Sequence, residues 1–292
     1  MRLLVIGGTS FVGRHAVEAA VAHGHEVTVF HRGRTNADLL ADRIEHRIGD
    51  RNAPDYGAIV GDETWDAVLD VSAYVPRQVH QLADVIGSRA GHYVHVSSIS
   101  AYDADRITPD EDAPLSPDLD DPTTEQVNGE TYGPLKAMCE RAALARFGED
   151  RTAILRPTYV CGPYDSTDRF TYWARRVAAG GPTLVLDTAT PLQIVDARDL
   201  GAFMVGLAAG AVAGSFDGVG PWAPVTDMLA GITPAGVDAR FVPVSEQRLT
   251  AAGITLPLLG DAPEALATRP GARARAAGLA TRSAVETAEA TR

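Results

Sequence analysis

Cysteine is nearly absent: among 292 residues only Cys139 and Cys161 occur. Their separation matches no metal-ligand spacing, so no metal is expected and both read as free thiols of a reducing cytoplasm. Basic side chains are also sparse, with 26 Lys and Arg against 38 Asp and Glu and a formal charge of −12. A nucleic-acid surface needs clustered Lys and Arg to neutralise phosphates, so no nucleic-acid partner is expected. No stretch approaches the roughly 18 apolar residues of a membrane span, so no membrane partner is expected. The apolar run at the start is too short, and too soon broken by glycines, for a signal peptide. Repeats and low-complexity tracts are missing too. What remains is ordinary for a globular chain, 45% apolar and 22% charged. That length accommodates one large domain with an appended lobe, or two domains around one cleft.

The informative stretch runs from Arg2 to Arg14. Leu3 to Ile6 reads as a buried strand, a glycine turn follows, and Phe11, Val12, Val17, Ala20 and Val21 then form one apolar helical face. Strand, turn and helix in that order put free N–H groups and a partial positive charge beside the turn, an arrangement that binds anions. Gly7 and Gly13 give the tight turn and the close helix–strand approach. With a second strand at Glu26–Phe30 the unit is a βαβ, and the spacing predicts dinucleotide binding by Gly7, Thr9, Ser10, Phe11, Val12 and Gly13. After that strand come His31, Arg32 and Arg34, where NAD-binding folds often place an acid. An arginine fork pairs with a 2′-phosphate and stacks on adenine, so NADP(H) is favoured over NAD(H).

Strands are predicted at Arg43–Ile48, Trp65–Val71 and His92–Val96, with a helix from about Arg77 to Ser88. This alternation means an α/β fold of Rossmann type, a doubly wound parallel sheet with ligands at the strands' carboxyl ends. Asp50 is placed to accept from an adenine amine, and the small Ser72 and Ala73 to let the backbone approach a cofactor. Hydroxyls follow the fifth strand in a run that includes Ser98 and Ser100 and ends at Tyr102. Residues 103–126 hold nine acidic side chains and one arginine, and read as a solvated acidic loop.

A helix from about Gly129 to Phe147 carries Tyr132 and Lys136, four residues apart and so on one face. A free phenol titrates near pH 10, and bringing it to about 7 requires roughly 4 kcal/mol of differential stabilisation. A partly desolvated ammonium beside a nicotinamide cation would supply it. Tyr132 would then exchange a proton with a substrate oxygen, typically worth about 10²–10⁴-fold.

Together these features resemble the short-chain dehydrogenase/reductase superfamily, in its extended epimerase/dehydratase branch, over Met1 to about Gly220. The resemblance rests on the glycine turn, Asp50, the serine run, Tyr132 with Lys136, and the segment from Arg156 to Pro163. It implies Ser98 as the catalytic hydroxyl, Tyr132 as acid/base, a second role for Lys136 on the nicotinamide ribose, and Pro157 near the carboxamide. It implies a homodimer as well. The sequence departs from the family pattern at Ser10, which replaces the middle glycine, as in an atypical subgroup.

By the same resemblance, residues 1–160 form the dinucleotide-binding domain with the Tyr/Lys helix. Residues 161–292 are mainly a substrate lobe, with a segment at about 190–210 returning to the main domain. Tyr74, Ser100, Tyr159 and Asp168 are candidate substrate contacts. Asp168 is suited to N-capping the next helix, Phe170 and Trp173 read as core, and Arg198 and Asp199 as structural. Arg269 to Arg292 reads as a frayed helical tail. The function implied is an oxidoreductase interconverting a secondary alcohol and a ketone on a small polar substrate. The alternatives are a redox-neutral epimerase or dehydratase acting on a nucleotide-linked sugar with tightly bound NAD, and a cofactor-sensing or RNA-binding module.

Overall fold

The computed structural model describes residues 1–53, 56–187, 190–259 and 263–292. The first half alternates strictly. β1 (Arg2–Ile6), α1 (Phe11–Ala22), β2 (Glu26–His31) and β3 (Glu45–Ile48) come first. Then follow α2 (Tyr56–Val60), β4 (Trp65–Asp70), α3 (Pro76–Ile86), β5 (Ala90–Val96), α4 (Tyr132–Phe147) and β6 (Thr152–Pro157). The chain continues through β7 (Tyr159–Cys161), α5 (Arg169–Ala178), β8 (Gly181–Leu186), β9 (Pro191–Asp196), α6 (Ala197–Ala209) and β10 (Gly214–Gly218). It closes with β11 (Trp222–Pro224), α7 (Val225–Gly231), β12 (Ala239–Val244), α8 (Glu246–Ala251), α9 (Glu264–Ala267), α10 (Ala272–Ala276) and α11 (Ala284–Thr291).

Seven strands form one parallel sheet in the order β10-β6-β5-β4-β1-β2-β3. The chain winds outward from β1 to β3, then returns to the other side of β1 with β4. The crevice between the carboxyl ends of β1 and β4 is therefore the switch point at which such sheets bind ligands. The alternation predicted from sequence gives this sheet, with small shifts in bounds. The third strand starts at Glu45 rather than Arg43, and the helix carrying Tyr132 and Lys136 at Tyr132 rather than Gly129. Helices cover both faces. Leu3, Val5, Leu69 and Val94 pack with α1 and α6 on one side, and Leu4, Ile6, Val68 and Tyr93 with α3 and α4 on the other.

Gly201 makes the α1–α6 packing possible: a Cβ there would lie 2.6 Å from the carbonyl carbon of His15. The later residues build a separate core in which Phe170 and Trp173 are buried, as their pattern predicted. The tail is not frayed. Ser283 and Glu286 form a capping box, Thr287 Oγ1 donates to Asp196 Oδ2 at 2.9 Å, and Ala288 is buried. Ser-x-x-Glu is a sequence-level helix start, and the Thr287 hydroxyl ties the helix to the end of β9. The acidic loop is likewise more than a solvated surface. Glu111 is buried, its carboxylate accepting from Arg273 N at 2.9 Å and its carbonyl from Arg156 at 2.9 Å.

Candidate active site

Two cavities meet at the carboxyl edge of the sheet. The outer, of about 500 Å³, is lined by the glycine turn, Arg32, Arg34, Asp50 and Ser72. The inner, of about 370 Å³, is lined by Ser98, Ser100, Tyr132, Lys136, Pro157 and Tyr159. Phe11, Val12, Val71 and Tyr74 line both, so the two form one cleft.

In the outer cavity the turn is tight because Gly7 adopts φ +90°, and a Cβ there would meet Ser72 Cβ at 2.8 Å. Ser10 is the extended N-cap of α1, is exposed, and makes no side-chain capping bond. The first-turn N–H groups therefore lack a side-chain partner from the cap. Phe11 follows with φ +39°, an uncommon conformation for a bulky residue, at the junction of the two cavities. Thr9 is buried, with its carbonyl accepting from Asn36 Nδ2 at 2.9 Å.

Arg32 and Arg34 are exposed on the rim. Asp50 accepts from Asn52 N at 2.9 Å, and this bond, with the nearby arginines adding to it, holds its carboxyl below the ordinary carboxylate range. Their loop is held by a directional chain. Gly33 N donates to His31 Nδ1 at 3.1 Å, which leaves Nε2 to donate to His46 Nδ1 at 2.8 Å, and His46 Nε2 to donate to the Leu39 carbonyl at 2.9 Å.

Beneath the cleft lies a clamp that sequence reasoning missed. Arg51 is bidentate to the fully buried Asp70, at 2.9 Å for both bonds, and reaches Ser72 Oγ at 3.0 Å. This fixes Ser72 against the turn. Ala73 is a correction: it does not line either cavity but is buried, and its carbonyl is taken by Lys136. A small residue there serves packing beneath the cleft.

In the inner cavity β5 ends in a 3₁₀ turn over Ile99–Ala101, capped by Ser98 Oγ, which accepts from Ser100 N at 3.1 Å. The first turn of α4 presses on this turn through Gly133. Ser98 and Tyr132 line this cavity together. Burial pushes the Tyr132 phenol above its ordinary value, against the Ser98 hydroxyl and the positive charge of Arg169, which pull it down.

The sequence reading expected Lys136 to lower that phenol; the structure assigns its ammonium elsewhere. Nζ donates to the carbonyls of Ala73 at 2.8 Å and Val96 at 2.6 Å and lies 5.3 Å from the Tyr74 ring centroid. Burial lowers the Lys136 pKa. Tyr74, half exposed, lies near both residues, its ring centroid 6.4 Å from that of Tyr132.

Asp168 is a second correction. It lines neither cavity, adopts φ +55°, makes no capping bond, and sits 3.7 Å from Arg175. The left-handed backbone turns its carboxylate away from the free N–H groups of α5. Its neighbours Thr167 and Arg169 do line the cavity, as do Thr158, Gln193, Leu266 and Ala267, none carrying a sequence signal. Arg198 and Asp199 are structural, paired with Asp196 and Arg282. Among the described residues there is no cluster able to hold a metal, and no helix is long and apolar enough to cross a membrane.

A switch-point cleft with a glycine turn on one side and paired Ser and Tyr hydroxyls on the other defines a dinucleotide-dependent enzyme. The chain belongs to the NAD dependent epimerase/dehydratase family, whose model matches residues 3–214, and so to the extended branch of the short-chain dehydrogenases/reductases. It is 30% identical over 223 residues to 2'-dehydrokanamycin reductase of Streptomyces kanamyceticus, covering 72% of this chain and 58% of that one. It is 25% identical over 213 residues to the chloroplast stem-loop binding protein of 41 kDa b of Arabidopsis thaliana, covering 68% and 53% respectively. The chain thus spans somewhat over half the length of these curated relatives. A UDP-glucuronic acid 4-epimerase from Bacillus cereus, solved with UDP-4-deoxy-4-fluoro-glucuronic acid and NAD, superposes with a TM-score of 0.69 at 16% identity, covering 100% of this chain and 98% of that one.

Proposed function

We propose that the enzyme is an NADP(H)-preferring oxidoreductase interconverting a secondary alcohol and a ketone on a small substrate. The observation that carries this is the convergence of Ser98, Tyr132 and Lys136 on the lining of the inner cavity. The outer cavity fits a dinucleotide: its glycines leave room a Cβ would fill, the α1 N-terminus suits a pyrophosphate, and Arg32 and Arg34 suit a 2′-phosphate. When bound, the cofactor supplies or accepts the hydride.

The chain's own residues do the rest. Ser98 Oγ donates to the substrate oxygen and fixes its position. Tyr132, kept protonated by burial, donates to that oxygen during reduction and takes the proton back in oxidation. Lys136 ties the ends of β4 and β5 together through two carbonyls, and from the inner cavity's lining it would hold the nicotinamide ribose.

Cavity size supports a small substrate over a nucleotide-linked sugar. At about 370 Å³ the inner cavity has to hold the reactive end of the cofactor as well as the substrate. The reductase relative favours net reduction over a redox-neutral reaction. Set against the stem-loop binding relative, the acidic balance of −12 and the intact Ser98, Tyr132 and Lys136 favour an enzyme over a binding module.

The test is Tyr132→Phe. We expect turnover to fall about 10²–10⁴-fold with cofactor affinity unchanged. Undiminished turnover would remove Tyr132 from the chemistry.

A further inference from the structure

Adjoining the inner cavity lies a third, open depression of about 630 Å³. Tyr132, Ser100 and Leu266 line both it and the inner cavity. Tyr132 and Ser100 belong to the catalytic framework, so Leu266 is the side chain that parts the two spaces without a role in the chemistry. We infer that Leu266 is a gate that sets how large a substrate reaches Tyr132. This rests on the oxidoreductase reading only for the identity of the compounds turned over.

The gate's backbone is built to stay in place. Three residues on, Arg269 is wholly buried. Its N–H donates to Gln193 Oε1 at 3.0 Å and its carbonyl accepts from Gln193 Nε2 at 2.8 Å, a two-bond clasp on β9. Its guanidinium donates to Asp217 Oδ2 at 2.7 Å on β10, to the Asp110 carbonyl at 2.5 Å and to the Thr108 carbonyl. It also stacks on Tyr102, 4.2 Å from the ring centroid. A segment pinned to two strands and the acidic loop moves little, so the opening is fixed by the side chain at 266. That side chain is only partly buried, and changing it leaves the pinned backbone intact.

The test uses two neutral ketones differing in bulk, acetophenone and 2-acetylnaphthalene, with the cofactor-saturated protein. Binding is read by calorimetry and turnover by cofactor absorbance. Leu266→Ala should shift the affinity ratio towards the larger ketone by roughly tenfold, and Leu266→Phe should shift it the other way. An unchanged ratio in both variants, shifts of the same sign, or no binding of either ketone to the Leu266→Ala protein would overturn the gate. Opposite shifts in binding without turnover would uphold the gate and retire the oxidoreductase reading. Turnover with a fixed ratio would do the reverse.

Discussion

Gly133→Ala should damage catalysis by moving Tyr132 away from Ser98. Gly133 is the second residue of α4, directly after the tyrosine. A Cβ there would lie under 3.0 Å from the Ser100 carbonyl oxygen and 3.3 Å from its carbon, where ordinary contact begins at 3.4 Å. The obstacle is backbone, so no side chain can swing aside, and α4 has to lift off the 99–101 turn. Such overpacking costs about 1–3 kcal/mol. For a chain of this length that lowers the melting temperature by roughly 2 °C per kcal/mol. The functional loss is larger, because a displacement of about 1 Å between catalytic groups costs on the order of 100-fold in turnover. Cofactor affinity should fall less than turnover, since the outer cavity lies on other elements and only Lys136 of α4 would face the cofactor. Gly129→Ala is the control: nothing lies within 4 Å of a Cβ there. The assay is thermal denaturation together with turnover at saturating cofactor. If Gly133→Ala melts and turns over like the unsubstituted protein, α4 is not seated on the serine turn in the way described.

Two further outcomes are expected. Arg32→Ala should weaken NADP(H) more than NAD(H) in direct titrations, because only the former carries the phosphate an exposed guanidinium would pair with; equal losses would undo the preference. Acid should destabilise the fold through His95, whose burial pushes its imidazole down from 6.5 to about 3. A folded-state pKa below the unfolded one means the unfolded chain takes up the proton first. The stability is therefore complete above about pH 6.5 and is lost on the way down towards 3, at about 1 kcal/mol per pH unit. Urea titrations of His95→Gln should show a shallower pH slope across that window, and an identical slope would clear His95.

What could be read from the chain follows the range of the interactions. The strand–turn–helix from Arg2, the alternation to β5 and the pairing of Tyr132 with Lys136 all depend on neighbours a few residues apart, and periodicity carries them. Gly13 belongs with them, since a Cβ there would strike the Gly7 carbonyl oxygen and lie 3.0 Å from Gly8 Cα, in the turn itself. The partner of Lys136 was not legible, because it is a pair of carbonyls at Ala73 and Val96 that only the closed sheet brings together. The same holds for Arg51 on Asp70, for Gln193 on Arg269, and for the walls at Arg169 and Leu266. Asp168 misled for the opposite reason. Its residue type suits a helix start, but the turn before it, where Asp165 Oδ1 accepts from Thr167 N at 2.9 Å, leaves Asp168 left-handed.

The walls of the two cavities are made at different times. Every residue lining the outer cavity lies between Ile6 and Gln78, whereas the inner one is completed by Leu266 and Ala267. A ribosome working from the first residue onward therefore releases the whole lining of the dinucleotide cleft long before the last wall of the reaction chamber emerges. The order of synthesis thus completes the lining of the outer cavity ahead of that of the inner one.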